Sequence, residues 1–140
     1  MTVRTTWRPR PTGAADLAWP SPLPPDLRAL WDRVESLRVA EDVTYGQWGL
    51  IIWAEAEAYQ RSLDELKRRP GDYVAGDVVV GEFLGDSQLV VVRCDLEARD
   101  FGMVSVALPI DPRPDWPDVS ASILEFIARF SEVAEYWWSH

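Results

Sequence analysis

The chain of 140 residues has little of what enzymes most often use for catalysis. It holds one cysteine, Cys94, and one histidine, His140, which is its last residue. Terminal residues are usually disordered, so a catalytic Cys–His pair is nearly excluded. A zinc site would need a set of His and Cys ligands that the chain does not have. We therefore expect a protein with no metal, no cofactor and no enzymatic activity.

The sequence also lacks the marks of a secreted or membrane-spanning protein. A single cysteine allows no internal disulfide, which favours an intracellular protein. No run of about 18 apolar residues is present, so no segment is predicted to cross a bilayer. The N-terminal stretch has no apolar core of the kind that a secretory signal needs. We predict a cytoplasmic protein.

What the chain does have is an uneven distribution of negative charge. Its net charge is −9, yet residues 1–69 carry ten acidic and ten basic side chains. Residues 70–140 carry thirteen acidic side chains against four basic ones. Direct binding of nucleic acid needs clustered Lys and Arg and is not expected. A basic protein would be attracted to such a surface. The alternative is that the acidic surface serves only solubility.

The order of apolar patterns predicts one domain of the α+β class. Residues 1–21 are proline-rich and are expected to form an N-terminal arm, followed by a single domain over residues 22–140. A helix is predicted from Asp26 with an apolar stripe that reaches Leu37, and a second helix over residues 54–69. A hairpin is predicted over residues 77–95, turning at Gly85-Asp86, and its second arm is apolar on both faces.

A third strand is predicted over residues 102–109, followed by a proline-rich connector and a long C-terminal helix that begins near Ser120. Together these elements predict a mostly antiparallel, twisted sheet of about four to six strands flanked by helices.

Carboxylates in two segments are the candidate functional residues, together with one tryptophan. Acidic side chains cluster in the segment that follows the hairpin and in the connector before the last helix. Trp116 stands between prolines, where it is either a lid over the edge of the sheet or an exposed anchor for a partner. The predicted partner-binding residues, all expected in loops, are Asp86, Asp95, Glu97, Asp100, Asp115 and Trp116.

Four segments resemble the SUKH superfamily, whose members include cell-wall-assembly regulators and bacterial immunity proteins. They are "LPPDLRALW", "WGLIIWAEAEAY", "GDVVVGEFLGDSQLVVV" and "GMVSVALPIDPRPDWPDVSASILEFIARF", and the resemblance covers roughly residues 22–138. It implies an α+β domain that inhibits a toxin, often a nuclease or a deaminase, by binding it. The family offers no catalytic residues that could be carried over to this chain.

Three functions stay open at this point. The first is an immunity protein that neutralises one cognate, basic toxin by direct contact. The second is a regulatory or scaffold protein that binds a different cellular partner. The third is an enzyme or ligand-binding protein that uses the loop carboxylates, which would require a buried and mutually close pair of them.

Overall fold

The computed structural model describes residues 3–11, 17–44, 48–85, 87–133 and 137. Within these residues, seven strands form one antiparallel sheet and lie side by side in the order in which they occur along the chain. The same described residues also form three α-helices and one 3-10 helix. The α+β fold class is confirmed, although the sheet has more strands than the four to six that we predict.

The strands are β1 (Val3–Pro9), β2 (Val34–Asp42), β3 (Leu50–Ile52), β4 (Asp77–Phe83), β5 (Leu89–Arg93), β6 (Val104–Ala107) and β7 (Asp118–Ser120). The helices are α1 (Pro25–Arg33), α2 (Glu55–Arg68), α3 (Ile123–Val133) and a 3-10 helix (Arg113–Asp115).

The central strands are buried on both faces of the sheet. Since alternate residues of a strand point to opposite faces, β5 sends Val90 and Val92 to the first face and Val91 to the second. On the first face these valines join buried residues of α1 and α3 in one large apolar cluster. On the second face Val91 joins a smaller cluster that includes Tyr73 and Trp116. The prediction that the second arm of the hairpin is a central strand is confirmed.

A side chain of α1 caps the C-terminal helix. Asp26 Oδ2 accepts hydrogen bonds from the Ser122 hydroxyl at 2.6 Å and from the Ile123 backbone N–H at 2.9 Å. The first N–H groups of a helix have no partner within the helix, and a cap of this kind is worth about 1 kcal/mol. The cap explains why α3 begins at Ile123 instead of near Ser120, and it connects two helices that are far apart in the sequence.

Two strands of the N-terminal half differ from the prediction. Part of the proline-rich arm is not separate from the domain, because β1 pairs with β2 in the same sheet. Leu37, which we place on the stripe of α1, lies in β2, directly opposite Ile52 of β3. Its spacing fits a helix, but pairing with β3 requires an extended backbone. The tertiary interaction therefore overrides the local pattern.

One carboxylate holds the segment between β1 and α1 against α2. Glu55 accepts hydrogen bonds from Trp19 Nε1 at 2.8 Å and from both terminal nitrogens of Arg28 at 2.9 and 2.8 Å. The ring of Trp19 also stacks on Trp31 with 5.8 Å between the ring centroids. Desolvation opposes the charged form of Glu55, but the hydrogen bonds from Arg28 and Trp19 outweigh it and lower the pKa of this carboxyl.

We predict that Glu55 makes folding stability depend on pH in the acidic range. Because its pKa is lower in the folded chain, its contribution is fully present above the unfolded value of about 4.3. The contribution is lost as the pH falls through the lower, folded value. Urea unfolding at a series of pH values should show a shallower loss of stability on acidification for Glu55→Gln than for the wild type. Glu57→Gln, on the same helix but half exposed, is the control and should keep the wild-type slope. Identical slopes for all three proteins would contradict the prediction.

The backbones of β3 and β4 come very close at Gly81. This residue lies opposite Ile52, and a Cβ atom built on it would stand 1.9 Å from the carbonyl oxygen of Ile51. The register of β4 against β5 also shifts between Val79 and Gly81, as at a β-bulge. Only a residue without a side chain allows this approach.

We predict that Gly81→Ala destabilises the fold by about 3 kcal/mol or more, because the two strands must separate to admit the methyl group. Gly71→Ala is the matched control, since a Cβ atom there would meet nothing within 4 Å. Its effect should stay within about 0.5 kcal/mol. Urea unfolding followed by tryptophan fluorescence measures both changes, and equal stabilities of the two variants would refute the close-approach explanation.

Candidate protein-binding surface

The loop between β5 and β6 presents three exposed side chains from one compact turn. Asp95 Oδ1 accepts a hydrogen bond from the Glu97 N–H at 3.1 Å, and the Asp95 carbonyl accepts one from the Ala98 N–H at 3.1 Å. This folding of the turn leaves Asp95, Leu96 and Glu97 exposed. Leu96 is an apolar side chain that is 58% exposed between two carboxylates.

Arg93 connects this loop to the edge strand β7. Its Nη1 lies 2.7 Å from Asp100 Oδ2, and its Nη2 lies 3.4 Å from Asp118 Oδ1. Its Nε donates to the Ser105 hydroxyl at 3.0 Å, and that hydroxyl donates to Asp118 Oδ1 at 2.7 Å. A guanidinium with several donors in one plane is suited to hold such a set of acceptors. The loop and the start of β7 are therefore fixed relative to each other.

The connector between β6 and β7, residues 108–117, is bound to the second face of the sheet. Arg69, just after α2, donates hydrogen bonds to the carbonyl oxygens of Leu108 at 2.9 Å and Asp111 at 2.7 Å. Arg113 of the connector makes a two-point ion pair with Asp77, whose side chain is 2% exposed. The hydrogen bonds to Asp77 raise the pKa of the Arg113 guanidinium.

Trp116 is the inward side chain of this connector. It is 4% exposed and packs against Tyr73 with 5.0 Å between the ring centroids. The guanidinium groups of Arg69 and Arg113 lie over its ring, 5.4 and 5.7 Å from the centroid. Its Nε1 donates to the Asp111 carbonyl at 3.0 Å. The hypothesis that Trp116 is an exposed anchor for a partner is therefore wrong. Its ring is a lid, but it packs on central strands of the sheet and not over the edge.

The predicted carboxylates fall into three groups. Asp95, Glu97 and Asp115 are exposed and take part in no ion pair among the described residues. Asp100 is partly exposed and is paired with Arg93. Asp86, at the turn of the hairpin, lies outside the described residues. We define the acidic surface as Asp95, Leu96, Glu97, Asp100, Asp115 and Asp118.

Two members of the acidic surface are not among the predicted binding residues. Asp118 is joined to Asp100 through Arg93, a contact that links β5 to β7 and has no signature in the local sequence. Leu96 could have been found, because an apolar residue between two acids in a predicted loop has no place in a core. Asp100 and Asp118 share Arg93 as a partner, and their side chains are 36% and 50% exposed. They are thus two partners of one cation, and not a buried carboxylate pair.

Cys94 is a small buried residue. It is 1% exposed, and burial raises the pKa of its thiol to about 12. In the part of the chain that the structure describes, no group of three or more His, Cys, Asp or Glu side chains is arranged to hold a metal ion. None of the helices described is both long and apolar enough to cross a membrane.

Comparison of the chain with protein-family models, with curated proteins and with solved structures found no significant match. The likeness to the SUKH superfamily therefore stays an expectation from the sequence.

We predict that Trp116→Ala destabilises the fold by about 3–5 kcal/mol, because it removes a buried ring from the second apolar cluster. Trp7→Ala is the control, since Trp7 is 60% exposed and its loss should change stability by no more than about 0.5 kcal/mol. Urea unfolding followed by far-UV circular dichroism compares the two variants without depending on tryptophan emission. A Trp116 variant as stable as the wild type would show that the connector does not depend on this ring.

Proposed function

We propose that this protein binds a basic protein partner through the acidic surface and acts as an immunity protein that neutralises a cognate toxin by contact. The observation that carries the proposal is a set of exposed carboxylates without ion pairs among the described residues. Asp95 and Glu97 flank the exposed Leu96, and Asp115 lies on the connector. On this proposal the protein works by binding, without catalysis, in the cytoplasm.

The internal ion pairs support a role in recognition. Arg93 and Arg113 are two of the four basic residues in the second half of the chain, and both are directed to carboxylates of the protein itself. They hold the loop and the connector in place, while the neighbouring acids face solvent. A surface that is ordered before binding loses less conformational entropy in a complex, and its unpaired charge increases the rate of association with a cation-rich partner.

The chemistry of the acidic surface also bears on the kind of partner. A nuclease needs clustered basic residues to hold phosphate. A set of fixed carboxylates can occupy the same residues and so exclude the nucleic acid. Leu96 would supply an apolar side chain that becomes buried at the centre of the interface, as in many protein complexes. The resemblance to the SUKH superfamily adds the biological role, since it implies toxin inhibition by binding.

We predict that reversing the exposed charges slows association with the toxin. The variant Asp95→Lys/Glu97→Lys/Asp115→Lys should reduce the association rate constant about tenfold or more at low ionic strength, and the difference should shrink as salt is added. Surface plasmon resonance with the purified product of each of the two neighbouring genes measures this rate.

The matched control is Asp64→Lys/Glu125→Lys/Glu132→Lys, which changes the net charge equally at exposed positions of α2 and α3. It should retain most of the wild-type rate. Equal slowing of both triple variants would mean that total charge matters and that the acidic surface has no special role. If neither neighbouring gene product binds the wild type, the immunity role loses its support and the regulatory or scaffold alternative gains it.

A further inference from the structure

The first strand is unusual because neither of its sides is covered. All seven residues of β1 are exposed, including Trp7 at 60%. A strand of an antiparallel sheet ordinarily buries one face against a core. Among the described residues, β1 is held by its pairing with β2 and by the hydrogen bond from the Ala40 N–H to the Thr5 hydroxyl at 3.0 Å.

The outer edge of β1 offers backbone groups for another strand. Within the described part of the chain β1 lies at one end of the sheet and pairs with β2 alone. Alternate residues of an edge strand direct their N–H and C=O groups away from the sheet, where they can pair with an added strand. Pro9, which has no N–H, stands at the end of β1, so the residues before it keep their donors.

The charge of β1 contrasts with the rest of the protein. Arg4 and Arg8 are exposed, take part in no ion pair among the described residues, and lie on the same side of the strand, about 13 Å apart at the usual rise per residue. Trp7 lies on the other side, where it is paired with Leu37. An open depression beside the strand is lined by Thr6, Trp7, Arg8, Ser36 and Arg38. Glu41 of β2 lies opposite Arg4 but is already paired with Arg38 at 2.6 Å, so the two arginines of β1 form a local basic edge on a protein of net charge −9.

We propose that β1 is a second interaction surface, which takes an acidic extended segment of a protein partner as an eighth strand of the sheet. Backbone pairing would supply the geometry of binding. Carboxylates at alternate positions of the added strand would face Arg4 and Arg8, since cross-strand pairs of opposite charge are favourable. An apolar residue on the other side of the added strand would cover Trp7.

The probe is a synthetic peptide, acetylated and amidated at its ends, that alternates Glu with Thr or Val over seven residues. Binding of the fluorescently labelled peptide to the full chain is followed by anisotropy. Two further forms carry N-methyl groups on the backbone nitrogens of the odd or of the even positions. Only one of these sets faces β1 in a paired strand, so one form should lose binding and the other should keep it. Equal binding of both N-methylated forms, or no binding of the parent peptide, would overturn the proposal.

The charge requirement is tested in the protein. Arg4→Gln/Arg8→Gln should weaken binding of the peptide about tenfold at low ionic strength. This is the loss expected when two exposed ion pairs are removed. Lys67→Gln/Arg99→Gln removes the same charge from exposed positions elsewhere and should bind the peptide like the wild type. If both double variants lose the same affinity for the peptide, the role of the basic edge is refuted. The same holds if a peptide with Lys in place of Glu binds the wild type as tightly as the Glu peptide. Sedimentation without peptide tests whether the chain dimerises. A dimer that is lost in the Arg4→Gln/Arg8→Gln variant would assign β1 to contact with a second copy and would also overturn the proposal.

Discussion

The ion pair between Arg113 and Asp77 is the interaction on which the arrangement of the second face depends. Asp77 is a carboxylate in an almost fully buried position, and a charge there is tolerated only with a partner that remains in place. Arg113 is that partner, and together with Arg69 it holds the connector across β4, β5 and β6. Trp116 can then fill the space above Val79 and Val91. Removal of Arg113 would leave both a buried charge and an uncovered apolar face.

Pairing inside the protein also determines which charges remain for a partner. The second half of the chain holds an excess of nine negative charges. Its arginines in β5 and in the connector already pair with Asp100, Asp118 and Asp77 of the same chain. Several of the described carboxylates without such partners protrude from the loop and the connector. Two basic residues that form no ion pair among the described residues lie on β1, at the other edge of the same sheet. The two proposed surfaces therefore involve different strands of the sheet.

The helices and strands that agree with the prediction are those whose pattern lies within a short stretch of sequence. The β4–β5 hairpin, β6, α2 and α3 have strong periodic patterns and flanking turn residues, and they form close to where we predict them. By contrast, β1 has no apolar alternation because nothing covers it, and β2 continues the helical spacing of α1. Exposed loop acids could be predicted from polarity and position alone. Asp118 could not, because its contact with Arg93 joins strands that are neighbours only in the folded sheet.

The sequence by itself determined the fold class, the absence of an internal disulfide and the concentration of negative charge in the second half. These properties depend on composition and on patterns within a few residues. Only the tertiary structure decided that Trp116 is buried, that Arg93 and Arg113 serve the protein's own carboxylates, and that the proline-rich arm contributes an edge strand. Burial, ion pairing and strand pairing are interactions between distant segments. They contribute to stability only when folding has brought those segments into contact.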